Sequence, residues 1–300
     1  MTDVKQPAST PIGRILDQAQ WGFAIAAVAA AVLLPLNGGN GGTVAALLLT
    51  IPFATIHGVR RYGWQRFLMF FVVTFVLSNF FENLSIMTGF PFGHYHYTGS
   101  PKLFYVPIAI GLIYFGLGYV SWLVASTILD RADEGLNLRT RGGRIDVVLL
   151  PVLAAAVMTA FDVGSDSVAS TVAHTWVWRD GGGLFGVPYT NYLGWWLVTY
   201  SFFQVFALIL ARSSGARSVA AGALLPPVLI YLSLGLSSVS YFIGVADSAA
   251  FVTDQAGVSW SLSQLAEAMM TINIFGLLVF AAIALASLVR GEAGRRDIRG

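Results

Sequence analysis

Runs of about 20 apolar residues follow one another along nearly the whole chain, and this leaves little choice of fold. A helix of about 20 apolar residues spans the hydrocarbon core of a bilayer, roughly 30 Å. Backbone groups in lipid must be bonded within the protein, so spans of this length are helices. Eight are expected, at about 17–36, 43–59, 67–87, 104–129, 145–163, 190–211, 217–244 and 262–289. A composition 56% hydrophobic and 11% charged, with mean hydropathy +0.71, excludes an ordinary soluble protein. No length remains for a separate soluble domain, so residues 1–300 read as a single transmembrane domain with tails 1–16 and 290–300. The first span follows a short basic lead without a cleavage site and is expected to be retained. The absence of cysteine rules out disulfides and thiolate metal sites.

The cations set the orientation. With the N-terminus inside, 15 of the 17 Lys and Arg residues fall on inner loops and tails, leaving only Lys102 and Arg179 outside. Cations on short loops concentrate on the cytoplasmic side. The expected architecture is therefore an all-α integral membrane protein of the cell (cytoplasmic) membrane, a bundle of about eight transmembrane helices with both termini cytoplasmic.

The chain also repeats itself. Leu103-Phe104-Tyr105-Val106-Pro107 returns 81 residues later as Leu184-Phe185-Gly186-Val187-Pro188. Tyr95 and Tyr97 precede the first copy, and Trp176 and Trp178 the second. Glu82 lies 21 residues before Leu103 and Asp162 lies 22 before Leu184. Spans three–four and five–six thus read as an internal parallel repeat with acids at equivalent places.

On this topology Asp130, Asp133, Glu134 and Asp146 are expected to be solvated charges among the inner basic loops. Glu82, Asp162 and Glu267 fall at or inside span ends on the outer side, where a carboxylate is costly and points to a protein cavity. Ser78, Asn79, Asn83 and Ser85 share the Glu82 face of a helix, with Phe80, Phe81, Leu84 and Met87 opposite. Asp162 and Asp166 are one helical turn apart, a spacing that suits a polar cavity, a capping arrangement or a metal–diphosphate site. Glu267 has Ser263, Gln264 and Thr271 at helical spacing and suits a polar helix contact as well as catalysis.

The outer loops 88–103 and 164–189 are rich in aromatic residues and glycine, as binding loops or interfacial belts are. His94 and His96 alternate along the first and suit hydrogen bonding or proton relay. Four histidines in the whole chain cannot build the many-histidine site of a membrane di-iron enzyme, so no metal is expected. His57 reads as a core histidine. No phosphate-cradling loop, nucleophile elbow or nucleotide fingerprint occurs.

Glu82, Thr88-Gly89-Phe90-Pro91-Phe92-Gly93-His94-Tyr95-His96-Tyr97-Thr98, Lys102-Leu103 and Val106-Pro107 together resemble the membrane carotenoid 1,2-hydratases of the CruF type. The second block is similar to the same family: Asp162, Asp166, Trp176-Val177-Trp178, Gly183, Gly186-Val187-Pro188, Asn191 and Gly194-Trp195. The chain departs from the pattern at Ser85 and Ser167, where a glycine and a proline are expected. The resemblance implies addition of water across the terminal C=C of a linear carotenoid, through a protonated tertiary carbocation and without cofactor or metal. Such chemistry needs a protonated carboxyl, aromatic walls for the cation and a second group to handle water.

Glu82, Asp162 and Asp166 are the candidate catalytic residues. Asn79, Asn83, His94, Tyr95, His96, Tyr97, Trp176, Trp178, Asn191, Trp195 and Glu267 are the candidate substrate and cation contacts. The expected partners are a lipid-soluble isoprenoid, the bilayer and other carotenoid-pathway membrane enzymes, with no nucleic acid. Two alternatives use the same residues: a proton-initiated terpene cyclase or isomerase, and a non-enzymatic lipid or pigment binder or transporter. In all of these the site lies near the outer surface, between spans three and five.

Overall fold

The structure, a computed structural model, describes residues 11–213 and 216–297. Among the described residues eight helical segments are long and apolar enough to cross a membrane, and the protein is an all-α multi-span membrane protein. Among the described residues the helices are α1 (Pro11–Leu33), α2 (Gly41–Tyr62), α3 (Trp64–Thr88), α4 (Ile108–Ile128), the one-turn α5 (Ala132–Gly135), α6 (Arg141–Val163), α7 (Tyr189–Ala211), α8 (Leu225–Val245), α9 (Leu262–Phe275) and α10 (Leu277–Asp297). Three short antiparallel ribbons complete the fold: β1 (Tyr95–Tyr97) with β4 (Trp176–Trp178), β2 (Lys102–Leu103) with β3 (Val106–Pro107), and β5 (Phe251–Thr253) with β6 (Ser259–Ser261).

The bundle is built around α4, whose residues 114–127 are all buried. A helix apolar on every side belongs in the interior, and α2, α6, α8 and α10 all pack on it. Several span boundaries differ from the expected ones. α1 starts at Pro11, six residues before position 17, and Asp17 on it pairs with Arg60 at 2.6 Å. The seventh span begins at Leu225, and Pro226-Pro227 sit in its first turn, where a proline has no helical hydrogen bond to break. The last span is two helices, α9 and α10, divided at Gly276 (φ −107°, ψ −89°). The fifth span continues past Gly164 into a single wide turn at Val168–Val172, so this part of the outer segment 164–189 is helical.

The two copies of the Leu-Phe-x-Val-Pro phrase fold alike. Leu103 bridges to Val106, and Leu184 to Val187. Phe104 (φ 57°) and Phe185 (φ 51°) both take the left-handed conformation, which bulky side chains rarely adopt. Pro107 and Pro188 then lead into α4 and α7. α3 packs on α7 as α6 does on α4. β1 pairs with β4 through Tyr95–Trp178, His96–Val177 and Tyr97–Trp176. An 81-residue exchange maps the outer pairs onto each other and leaves His96–Val177 in place, so the α3–α4 and α6–α7 hairpins are related by a local two-fold axis through that central pair.

One charge assignment is overturned at the arginine-rich end. Asp133, expected among solvated loop charges, is fully buried, and Arg61 at the end of α2 is 1% exposed. Arg61 donates to both Asp133 oxygens, at 2.8 Å from Nε and 2.7 Å from a terminal nitrogen. Tyr62 and Ser126 hydroxyls donate to the same carboxylate, and Trp122 Nε1 donates to Tyr62 Oη at 3.0 Å. A bidentate pair inside a hydrogen-bonded cage satisfies a charge that would otherwise be very costly to bury. His57 bonds Tyr119 Oη (2.6 Å) and the Ala223 carbonyl (2.9 Å) beside this cluster.

Candidate functional site

α3 ends at Gly89, whose φ of 82° forms a left-handed cap, and its N–H donates to the Ser85 carbonyl at 2.7 Å. The chain then turns back as β1. Side chains alternate across a strand, so Tyr95 and Tyr97 point inward while His96 points out. The phenol of Tyr95 donates to Glu82 Oε2, Tyr97 donates to the same oxygen at 2.9 Å, and Tyr114 of α4 donates to Oε1 at 2.8 Å. Burial first, and then the Glu82 charge, push the Tyr95 and Tyr97 hydroxyls well above the usual phenol range, so both remain donors.

The second hairpin holds its acids in the same way with different groups. Asn191 Nδ2, near the start of α7, donates to Asp162 Oδ2 at 2.7 Å and Asp166 Oδ2 at 2.6 Å. An amide nitrogen carries two hydrogens and can serve both. Trp176 and Trp178 of β4 donate their indole N–H groups to Asp166 Oδ1 at 2.8 and 3.4 Å. Glu82, Asp162 and Asp166 are 3%, 3% and 1% exposed, so three carboxyl groups share a site shielded from bulk water.

The halves meet through rings. Tyr95 lies against Trp178 (4.8 Å between centroids), Tyr97 against Trp176 (5.9 Å), and Tyr114 stacks on Trp195 at 4.6 Å and 15°. Tyr114 and Trp195 are 81 residues apart, so they are repeat equivalents facing each other. Together these residues line a cavity of about 320 Å³ that continues between apolar residues of α2, α4, α8 and α9. Electron-rich faces, buried carboxyls and apolar walls can bind a hydrocarbon, stabilise a carbocation and move a proton.

Ten of the side chains around this cavity are the three acids, Tyr95, Tyr97, Tyr114, Trp176, Trp178, Asn191 and Trp195. All but Tyr114 were expected from sequence. Five expected residues lie elsewhere. Asn79 donates to its own helix at the Phe75 carbonyl (2.8 Å) and packs on Gly111. Asn83 donates to the Asn79 carbonyl and accepts from the Tyr105 N–H at 2.9 Å, which shapes the loop. His96 is turned out by strand alternation, and the exposed His94 lines a separate surface cleft with Thr88 and Asp180. Glu267 is exposed on α9, away from the cavity. Tyr114 was missed because it lies within an apolar span; its position 81 residues before Trp195 is the signal that marks it. Among the described residues no cluster of three or more ligating side chains forms a metal site.

A family model described as carotenoid biosynthesis protein matches residues 41–253, which include both hairpins and every acid of the cavity. No curated protein and no solved structure matches the chain.

Proposed function

The chain belongs to the carotenoid biosynthesis protein family, and on that premise we propose that it is a hydratase of the CruF type. It adds water across the terminal C=C of a linear, lycopene-like carotenoid. The observation that supports this most directly is the meeting of three buried carboxyls and paired aromatic faces at one apolar cavity.

The carboxyls differ in how they are held. Glu82 takes three phenol donors, and Asp166 takes an amide and two indoles. Among the described residues, Asp162 takes only Asn191. Donors hold a carboxyl in its charged form, so Asp162 is the group best placed to carry a proton and deliver it. That proton goes to the CH carbon of the terminal alkene, and its π electrons form the new C–H bond. The tertiary cation left behind faces the rings of Tyr114, Trp195, Tyr97 and Trp176. Water adds to it through an oxygen lone pair, the resulting oxonium loses one proton to Glu82, and a proton passes from Glu82 back to Asp162 before the next turnover. The net change is one water gained. Asp166 acts as a positioning residue that orients Asn191 and the two indoles.

Expression in a lycopene-producing host tests the reading. The expected product is heavier than its substrate by one water, and Glu82→Gln and Asp162→Asn each abolish it. Full conversion by either variant overturns these roles. A product isomeric with the substrate assigns the same cation to a cyclase or isomerase, and unchanged pigment held in stoichiometric amount assigns the protein to binding.

A further inference from the structure

The cavity has a side as well as a floor. It runs away from the acids between the first turns of α2 and α4, along Thr43, Val44, Leu47, Leu48, Ile110 and Ile113. Val44 and Leu48 line it and are also 39% and 43% exposed on the outer surface of the bundle. A side chain that borders a cavity and also faces outward marks an opening, here on a helix long and apolar enough to cross a membrane.

The opening has a structural cause. Lower down, α2 and α4 are in backbone contact: a Cβ on Gly116 would sit 2.1 Å from Thr50 Oγ1 and 3.1 Å from the Ile51 nitrogen. From Gly116 to Ala109 is seven residues, or about 10 Å along the helix. Over that distance the close contact gives way to the cavity, whose lining includes the exposed Ala109. The two helices are thus clasped at one level and splayed above it.

Volume decides what lies in the gap. A cavity of about 320 Å³ is at the small end of the roughly 300–1,000 Å³ that enclose a drug-sized ligand, and a long polyene exceeds it. Resting on the hydratase reading for the chemistry at the inner end, we propose that the linear isoprenoid enters sideways from lipid through the gap between α2 and α4. Its end reaches the acids, and the remainder stays in the gap and in the membrane. Valine, leucine and isoleucine walls resemble lipid tails to a hydrocarbon, so the passage requires no hydration of the chain. The site therefore reads the terminal group and the first units of the chain, not its full length, and takes one end at a time.

The absence of native cysteine makes a direct test available. Leu48→Cys and Val76→Cys are each labelled with a fluorophore in the full chain and placed in nanodiscs. Val76 faces outward on α3, away from the cavity. Added lycopene is expected to quench the label at position 48 well beyond that at position 76; equal quenching overturns the proposal. In parallel, Leu48→Trp is expected to reduce conversion about tenfold or more, the effect of filling a packed passage, while Val76→Trp leaves it unchanged. Conversion by Leu48→Trp equal to that of Val76→Trp also overturns it. Preferential quenching at position 48 without conversion by the native chain supports the passage and removes the hydratase reading, so the two failures are distinguishable.

Discussion

Tyr97→Phe isolates one hydrogen bond. It keeps the ring that lies 5.9 Å from Trp176 and removes only the hydroxyl 2.9 Å from Glu82 Oε2. Glu82 retains Tyr95 on the same oxygen and Tyr114 at 2.8 Å on the other, so the group stays bonded and the fold is expected to stand. A hydrogen bond to a charged group contributes about 1.5–3 kcal/mol. Losing that donor makes the charged form of Glu82 less favourable by the same amount, and if the reaction needs that charge the smaller charged population is a rate loss of roughly ten- to a hundredfold. The assay is initial conversion of lycopene by purified protein in lipid, normalised to folded protein. The same substitution in a Glu82→Gln background is expected to cost far less, because the carboxylate it serves is gone. A Tyr97→Phe rate within about twofold of the native rate, against the minimum tenfold worked above, refutes a charged role for Glu82 in the reaction.

Other outcomes follow from the same structure. Asp133→Ala leaves the Arg61 guanidinium buried without its carboxylate and is expected to lower stability by about 3–5 kcal/mol, read from denaturant unfolding in detergent; a loss below about 1 kcal/mol, the worth of an exposed pair, contradicts the buried cage. Gly116→Ala drives a methyl group into Thr50 and is expected to cost about 1–3 kcal/mol, measurable as a lower melting temperature. Burial and the Glu82 charge raise the Tyr95 and Tyr97 phenols above about 10, their value when unfolded. Their contribution to stability is therefore complete below about pH 10 and is lost as pH rises further, because the unfolded chain releases these protons first; a melting-temperature profile across pH 8–11 checks the sign.

Much of the architecture was legible because a bilayer leaves few options. Segment length follows from its thickness, and the repeat places equivalent parts in equivalent hairpins. The acids stood out because carboxyls are rare in spans. Side-chain direction was harder to read. Alternation along 94–97 separates the histidines from the tyrosines, but spacing alone does not say which set faces inward; the packing of Tyr95 on Trp178 settles that. Asp133 looks solvated among basic neighbours, and only its Arg61 partner, 72 residues earlier, reveals a buried pair. Tyr114 gives no periodic signal within a helix buried on all sides. The break at Gly276 carries no proline to announce it.

The division of hydrogen bonds between the two hairpins has a consequence for how the chain is made. The partners of Glu82 (Tyr95, Tyr97 and Tyr114) come from the first hairpin, and those of Asp162 and Asp166 (Asn191, Trp176 and Trp178) from the second. Across the divide lie ring contacts, a three-residue ribbon, helix packing of α3 on α7 and of α4 on α6, and hydrogen bonds from the Thr98 and Thr190 hydroxyls to backbone carbonyls. The first half can therefore leave the translocon with its acid already bonded, before the second has been synthesised, and the second carries the donors for its own acids. The step most hostile to a carboxyl, insertion into hydrocarbon, is met locally, and the later docking of the halves leaves the hydrogen bonds of the acids unchanged.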